Sequence, residues 1–316
     1  MFYIGIDLGG TNTAVGIVDD HGQILAQTTG KTPVGQPVNA YLACMSECIR
    51  CVLKTAGLQI TEIRSIGIGI PGIVDTARGT VTQCTNLDWY DVPFQRFMEQ
   101  VFPLPILMDN DANLAALAES CAGASIGCSS SVLITLGTGV GSGIILGGRP
   151  WPGAFGQAGE LGHSTLVADG IPCRCGRNGC MEQYCSATAL VRNARQICGA
   201  FPQTIMCQMA GGDLQNLTAK MVIDAAKEGD PYACRVFDRY THYLALAIDS
   251  IINTLDPEIV LIDGGISHAG DFLLNAVRNK IPRHENGSLR PIARIELAKL
   301  RNGAGLIGAA MLGRQR

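Results

Sequence analysis

Two stretches of this chain, FYIGIDLGGTNTAVGIVDD at residues 2–20 and LITLGTGVGSGIIL at residues 133–146, decide its fold. Each places a glycine-rich turn between two apolar runs that read as buried strands. The stretches can be laid over one another so that Leu8-Gly9 meets Leu136-Gly137. A unit that opens each half of the chain indicates an internal duplication. We therefore expect an α/β protein built from two similar halves that face each other across a cleft.

The remaining pattern supports alternating strands and helices. The strands expected beyond those two stretches cover residues 23–29, 64–72, 106–110 and 258–263, and the helices cover residues 38–56, 112–122, 182–198, 216–228, 231–254 and 303–313. We place the domain boundary near Asp111. Residues 1–111 then form the first domain, joined by the C-terminal helix 303–316, and residues 112–302 form the second.

Composition excludes several classes of protein. The chain has 316 residues, of which 47% are hydrophobic and 16% charged, and its formal net charge is −3. Such a chain can bury two ordinary cores, and it offers no basic surface for nucleic acid or anionic lipid. Its apolar stretches are interrupted well before the length of a membrane span. A small-molecule partner is expected, without nucleic acid or membrane.

The cysteine count points to a reducing compartment. There are 13 cysteines, an odd number, and the chain opens at MFYIGIDLGGT without a basic region or an apolar leader. These features predict reduced thiols and a cytoplasmic location.

The two glycine-rich turns are candidate phosphate loops. Glycines let backbone amides approach a phosphate closely, and threonine hydroxyls add donors. One such turn is commonly just a hairpin, whereas a pair suits a nucleoside triphosphate. Asp7 precedes the first turn and could hold Mg²⁺, although a strand-end aspartate can also serve turn amides alone. The loop residues are Gly9, Gly10, Thr11, Gly137, Thr138 and Gly139.

Asp109-Asn110-Asp111 lies at the junction of a predicted strand and a predicted helix. Side chains at this junction are expected to face a ligand crevice. Asp111 is a natural N-cap, and the helix N-terminus favours its ionised form, which suits a general base. A cap alone is the simpler interpretation. Asn86 and Asn110 could bind a polyhydroxylated ligand, or they could serve only turn hydrogen bonds.

His163, Cys173, Cys175 and Cys180 form the most specific pattern, H-x9-C-x-C-x4-C. One imidazole and three thiolates complete a tetrahedral Zn²⁺ site, so the metal is expected to brace a loop and not to activate water. A redox thiol cluster is less favoured, since Cys173 and Cys175 are not spaced as C-x-x-C. Glu160 and Glu182 flank this loop and could accept hydrogen bonds from sugar hydroxyls, or they are helix-start or surface acids.

Six motifs together resemble the ROK family (repressor, open reading frame, kinase) of bacterial sugar kinases and regulators. The similarity runs from residue 4 to about residue 312, and the motifs are DLGGTN at 7–12, GIGIPG at 67–72, DNDAN at 109–113, LGTGVG at 136–141, GELGH at 159–163 and CRCGRNGCME at 173–182. The resemblance implies an actin-like, ribonuclease-H-like fold of two α/β domains that close on ATP and a sugar. It also implies a homodimer.

The resemblance also implies roles for individual residues. Asp111 matches the family's catalytic base, and Asp7 matches its acid beside Mg²⁺. The sugar-binding positions are Asn86, Asn110, Glu160, His163 and Glu182, with His163 also a zinc ligand. The glycine turns match the two phosphate loops. Gly264 and Gly265 match a loop on the nucleoside side, although Asp263 stands where the family usually has a further glycine.

The resemblance thus implies an ATP-dependent kinase of the 6-hydroxyl of a hexose, with ATP, Mg²⁺ and a structural Zn²⁺. The segments NDANLAALAE, GIVDTARGTV and YCSATALVRNA resemble most the branch of the family that phosphorylates glucose. N-acetylmannosamine, N-acetylglucosamine, allose and fructose remain alternatives. A sugar-responsive transcriptional regulator and a non-catalytic sugar-binding protein remain the alternatives of a different class.

Overall fold

The computed structural model describes residues 1–281 and 293–315 and has a mixed α/β fold. Its strands are β1 (Phe2–Leu8), β2 (Asn12–Asp19), β3 (Ile24–Lys31), β4 (Ile63–Ile70), β5 (Ile73–Asp75), β6 (Thr80–Cys84), β7 (Trp89–Val92), β8 (Ile106–Asn110), β9 (Ser130–Leu136), β10 (Val140–Leu146), β11 (Arg149–Pro150), β12 (Ile259–Asp263) and β13 (Arg294–Leu297). Its helices are α1 (Val38–Ala56), α2 (Phe94–Val101), α3 (Asp111–Ala122), α4 (Glu182–Cys185), α5 (Ala187–Ala200), α6 (Ile205–Met209), α7 (Ala219–Lys227), α8 (Pro231–Leu255), α9 (Asp271–Arg278) and α10 (Ala304–Met311).

Two five-stranded sheets repeat one strand order. The first has the order β3-β2-β1-β4-β8 and the second the order β11-β10-β9-β12-β13, while β5, β6 and β7 form a small third sheet. In both large sheets, three strands that are consecutive in the chain are followed by two that come later. The repeated order agrees with the duplication expected from the two glycine-rich stretches.

The register of the first sheet sets the position of its acidic residues. β1 and β2 are antiparallel, whereas β4 pairs in parallel with both β1 and β8. Gly69 of β4 lies opposite Asp7 on one side and Asp109 on the other. Because the carboxyl ends of parallel strands meet at the same sheet edge, Asp7 and Asp109 lie at one edge of the sheet.

The chain divides into two compact units. Unit 1 comprises Met1–Val132, Gly143–Gly159 and Lys299–Arg316, and unit 2 comprises Leu133–Ser142 and Glu160–Ala298. This division differs from the predicted boundary near Asp111, because α3 and the strand residues up to Val132 lie in unit 1. Arg316 and residues 282–292, which the predicted domains include, lie outside the described residues.

Glycine contacts explain why α3 and α10 belong to unit 1. A Cβ on Gly67 of β4 would stand 1.7 Å from the carbonyl oxygen of Ala309 in α10. A Cβ on Gly308, also in α10, would stand 1.9 Å from the carbonyl oxygen of Leu114 in α3. The helix therefore packs backbone to backbone against the sheet and α3, at a spacing that no larger residue allows.

Several elements differ from the sequence expectation. The helix predicted over residues 182–198 is two helices separated at Ser186, whose side chain caps α5 by accepting a hydrogen bond from Ala189 N at 3.1 Å. The predicted pattern contains neither α2 nor α9 nor the small sheet β5-β6-β7. Within residues 1–281 and 293–315, no helix combines the length and apolar character needed to cross a bilayer.

Candidate active site

The loop before α3 is fixed by its own side chains. Asn110 is the N-cap of α3, and its side-chain oxygen accepts hydrogen bonds from Ala112 N at 2.8 Å and Asn113 N at 3.3 Å. The expectation that Asp111 is the cap is therefore wrong, because Asp111 is the first residue inside the helix. Asn110 also donates from its amide nitrogen to the carbonyl of Gly72 at 3.0 Å. Three of its four hydrogen-bonding positions are thus used within unit 1, which leaves one N–H.

Asp109 is turned back into the same loop. Its Oδ1 accepts hydrogen bonds from Asn110 N at 2.7 Å and from Asn113 Nδ2 at 2.9 Å, and burial raises its pKa. Asp109 therefore stabilises the turn between β8 and α3 through these hydrogen bonds. Asp111 is the other carboxylate of this turn and the candidate for chemistry.

The environment of Asp111 gives it the properties of a base near neutral pH. Asp111 is exposed to solvent, yet the protein packed around its carboxylate disfavours the charge and raises its pKa to about 6. The hydrogen bond from Ala112 N at 2.8 Å opposes this effect, and the negative charge of Asp7 adds to it. Desolvation outweighs the helix N-terminus, which by itself would favour the ionised form.

Asp7 faces the same region of unit 1. Burial raises its pKa, and among the described residues no hydrogen bond to its carboxylate is found. The backbone of α10 comes so close that a Cβ on Gly305 would stand 2.7 Å from Asp7 Oδ2. A partly buried, unpartnered carboxylate that interacts with a second one is a favourable place for a divalent cation.

The first glycine loop, residues 9–12, is held from its carbonyl side. Gly9 N donates to the carbonyl of Asn12 at 3.0 Å, and Thr32 Oγ1 donates to the carbonyl of Gly9 at 2.8 Å. The backbone N of Thr32 donates to the carbonyl of Thr11 at 2.9 Å. Asn86 is exposed in the turn between β6 and β7. It lies near this loop, because a Cβ built on Gly10 would be 3.6 Å from the Cβ of Asn86.

The second glycine loop, residues 137–140, is held by the segment that follows the cysteine-rich loop. Gly137 N donates to the carbonyl of Gly139 at 3.0 Å, and Val140 N donates to Glu182 Oε2 at 3.0 Å. A Cβ on Gly139 would stand 2.3 Å from that same Oε2. Glycine at residue 139 therefore makes room for the carboxylate of Glu182.

The loop after β12 approaches the second glycine loop. Gly264 has φ of 85°, and a Cβ there would stand 2.5 Å from the carbonyl oxygen of Leu136, where β9 ends. Glycine is required at residue 264 for both reasons. Gly265 begins a short 3-10 helix over Gly265–Ala269 and has open space around its Cα.

The four predicted zinc ligands come together in unit 2. One ligand atom from each of His163, Cys173, Cys175 and Cys180 lies within 4.8 Å of all the others. Cys173 Sγ is 3.7 Å from His163 Nδ1, and Cys175 Sγ is 3.5 Å from Cys180 Sγ. A tetrahedral Zn²⁺ with bonds of about 2.3 Å to sulfur requires sulfur separations of about 3.8 Å. The donor set therefore fits zinc in both chemistry and spacing.

The two units each contain part of the predicted set. Glu160 is exposed, and its backbone carbonyl accepts a hydrogen bond from His163 N at 3.0 Å. Unit 1 carries Asp7, Gly9, Gly10, Thr11, Asn86, Asn110 and Asp111, and unit 2 carries Gly137, Thr138, Gly139, Glu160, His163, Cys173, Cys175, Cys180, Glu182, Gly264 and Gly265. Thr32 and Thr188 are absent from the predicted set, because the carbonyls to which they donate lie 23 and 50 residues away in the chain.

Comparison with known proteins identifies the family of this chain. The ROK family model matches residues 3–316. The glucokinase of Streptomyces coelicolor is 36% identical over 99% of this chain and 97% of its own length. A ROK family glucokinase from Streptomyces griseus, solved with glucose and AMPPNP, is 35% identical, covers both chains completely and superposes with a TM-score of 0.81. A ROK hexokinase from Thermus thermophilus is 32% identical over 98% of this chain and 97% of that one, with a TM-score of 0.84. This chain belongs to the ROK family.

Proposed function

We propose that this protein is an ATP-dependent hexose kinase that phosphorylates the 6-hydroxyl of glucose. The observation that carries the proposal is the pair of carboxylates in unit 1. Asp111 has a pKa of about 6, raised by burial and in part by the charge of Asp7, and the partly buried carboxylate of Asp7 has no hydrogen-bond partner among the described residues. The similarity to the Streptomyces griseus glucokinase over the whole of both chains supports glucose as the acceptor.

Asp111 acts as the general base. With a pKa of about 6 it is ionised at pH 7 and basic enough to accept a proton. It takes the proton of the sugar 6-hydroxyl as that oxygen bonds to the γ-phosphorus of ATP. The bond between the γ-phosphorus and the β–γ bridging oxygen breaks, and ADP leaves with the electron pair. Phosphoryl transfer of this kind depends mainly on positioning and charge neutralisation.

Asp7 is the residue that would hold Mg²⁺, directly or through water. The cation would neutralise phosphate charge, and it would also relieve the repulsion between Asp7 and Asp111. Loop residues 9–11 and 137–139 offer backbone amides and threonine hydroxyls to the phosphates of ATP. Gly264 and Gly265 are proposed to form the loop next to the nucleoside of ATP.

The sugar contacts are proposed residue by residue. Among the described residues, Asn110 keeps one amide N–H without an acceptor, and Glu182 keeps Oε1 without a donor while its Oε2 accepts from Val140 N. Asn86 and Glu160 are exposed with polar groups available to hydroxyls. His163 would present its remaining ring nitrogen to the sugar while Nδ1, which lies beside Cys173 Sγ, ligates zinc. Zinc held by these four residues would brace the loop that positions Glu182.

A coupled ADP-release assay with MgATP tests the proposal. We expect the highest kcat/KM on glucose among glucose, N-acetylmannosamine, N-acetylglucosamine, allose, mannose and fructose. A dominant rate on another sugar would retain the phosphoryl-transfer mechanism and replace the substrate. A folded, zinc-loaded protein that phosphorylates none of them would favour the non-catalytic sugar-binding protein. Light scattering on the same sample tests the proposed homodimer.

A further inference from the structure

The start of α5 holds two consecutive carbonyls of the second glycine loop. Ala187 N donates to the carbonyl of Gly137 at 2.8 Å, and Thr188 Oγ1 donates to the carbonyl of Thr138 at 2.7 Å. Both carbonyls are therefore turned toward α5. The helix is capped by Ser186, so the Thr188 hydroxyl is not needed as its N-cap.

These two hydrogen bonds also set the direction of the N–H groups of Thr138 and Gly139, because peptide groups are planar. A trans peptide is planar, and its N–H points opposite to its C=O. The carbonyls of Gly137 and Thr138 share peptides with the N–H groups of Thr138 and Gly139. Those two N–H groups therefore point away from α5, and in the part of the chain that the structure describes neither donates to a protein acceptor. Two parallel, unsatisfied amides next to the exposed Thr138 are suited to phosphate oxygens.

The first glycine loop also has a carbonyl that accepts a hydrogen bond from a threonine hydroxyl. Thr32 Oγ1 donates to the carbonyl of Gly9 at 2.8 Å, which fixes the peptide that carries the N–H of Gly10. Since that hydroxyl has one proton, the 2.9 Å contact between Thr13 Oγ1 and Thr32 Oγ1 has Thr13 as the donor. In each unit, a threonine outside the glycine loop donates its hydroxyl to a carbonyl of that loop: Thr32 to Gly9 and Thr188 to Thr138. The hydroxyl lies on the side of the peptide opposite to the free N–H.

We propose that Thr188 is a positioning residue for nucleotide binding, which fixes the second phosphate loop through the carbonyl of Thr138 without touching the phosphate. The inference rests on the proposed function, because it assigns the phosphates of ATP to this loop. Thr188 is exposed, so its hydroxyl contributes little to the core of unit 2. Its loss therefore acts on the loop and not on overall stability.

Thr188→Val tests this role, because valine keeps the shape and removes the hydroxyl. Thr188→Ser restores the hydroxyl. Thr254→Val is a matched control in the same unit, since Thr254 is also exposed and donates to a backbone carbonyl, that of Ser250, at 2.7 Å. The measurements are the Kd of Mg-AMPPNP by calorimetry, the KM for ATP and for glucose, and Tm.

For Thr188→Val we expect the Kd of Mg-AMPPNP and the KM for ATP to rise about 5- to 20-fold, as for the loss of one hydrogen bond. The KM for glucose should change less than about 2-fold, and Tm should match that of Thr254→Val within experimental scatter. Thr188→Ser should bind nucleotide like the wild type.

Three results would overturn the inference: unchanged Mg-AMPPNP affinity in Thr188→Val, a Thr188→Ser variant as weak as Thr188→Val, or a wild type that does not bind Mg-AMPPNP. Failure of the proposed function is distinguishable. In that case the wild type binds Mg-AMPPNP but phosphorylates no sugar, and the comparison of Kd values still decides the role of Thr188.

Discussion

Gly308 of α10 lies so close to Leu114 of α3 that a Cβ on Gly308 would stand 1.9 Å from the carbonyl oxygen of Leu114. In an unconstrained helix, replacing glycine by alanine stabilises by about 1 kcal/mol. At residue 308 the added methyl group meets backbone, which cannot move as a flexible side chain can. We expect Gly308→Ala to lower the free energy of unfolding by about 3 kcal/mol in urea titration.

Gly199 of α5 provides the matched control for that substitution. It lies near the end of its helix and is exposed, and apart from its chain neighbours and the backbone of its own helix no atom of the described residues lies within 4 Å of a Cβ built on it. Gly199→Ala should therefore stabilise the protein by about 0.5–1 kcal/mol. Equal effects of the two substitutions would contradict the packing that we describe for α10.

Glu119 provides a second stability prediction, because it is a fully buried carboxylate with three peptide N–H donors. Its Oε2 accepts from Ala124 N at 2.6 Å, and its Oε1 accepts from Lys299 N at 2.9 Å and Leu300 N at 2.7 Å. Glu119→Ala removes the acceptor of all three donors, of which Ala124 N is buried and the other two are partly buried. We expect a loss of about 3–5 kcal/mol, measured by urea unfolding.

Glu119→Gln separates hydrogen bonding from side-chain volume. Glutamine keeps the shape but offers only one acceptor oxygen, and its NH₂ group would face a peptide N–H. The free energy of unfolding should fall between those of the wild type and Glu119→Ala. If the glutamine variant is as stable as the wild type, the negative charge of Glu119 adds nothing to the free energy of unfolding through these three hydrogen bonds.

The pKa of Asp111 leads to a prediction for activity. Because burial raises this pKa to about 6, the base is protonated below that pH and ionised above it. The kcat/KM for sugar should rise with pH through about 6 and then reach a plateau. Asp111→Asn should lose at least about 100-fold in kcat, keep its sugar affinity and lack this pH step. Near-normal turnover by this variant is incompatible with Asp111 as the base.

Asp111 also leads to a prediction for stability with a definite sign. Its pKa is higher in the folded protein than the ordinary value of 3.8, so this group makes the fold less stable as pH rises from 3.8 to about 6, and the loss is complete above that range. The asparagine side chain of the Asp111→Asn variant does not ionise. This variant should therefore have the higher Tm at pH 8, by a modest amount because solvent partly screens the charge, and the difference should shrink toward pH 4. Differential scanning calorimetry at both pH values measures it.

Removal of one thiol tests the zinc site. Cys175→Ala leaves three ligands of the four that lie within 4.8 Å of one another. We expect metal analysis to show one Zn²⁺ per wild-type chain and far less in the variant, with a lower Tm. Cys51→Ala is the control, since Cys51 is an exposed thiol of α1 outside this cluster. An unchanged zinc content in Cys175→Ala would contradict the ligand set.

The sequence predicts the strands of the two glycine-rich stretches better than it predicts the partners of each residue. Alternation of apolar residues and glycines is a local pattern, so β1 and β2 can be predicted from it. The spacing of one histidine and three cysteines likewise predicts the cluster of His163, Cys173, Cys175 and Cys180 that the structure brings together. The choice of Asn110 over Asp111 as the cap depends on Gly72, which lies 38 residues earlier and accepts from the Asn110 amide. The carboxylate of Glu182 likewise meets Val140 across 42 residues. Such pairings arise only once the sheets have brought distant segments together.

The packing of α10 bears on how the protein folds during synthesis. Gly5 and Gly67 of the first sheet are covered by the backbone of Leu306 and Ala309, about 300 and 240 residues later in the chain. On the ribosome, the sheet of unit 1 must therefore wait with that face open while all of unit 2 is translated. Unit 2 needs no segment beyond Ala298, so it can complete its contacts first. We expect nascent chains that stop before residue 304 to leave this glycine face uncovered, so the late helix completes the folding of unit 1.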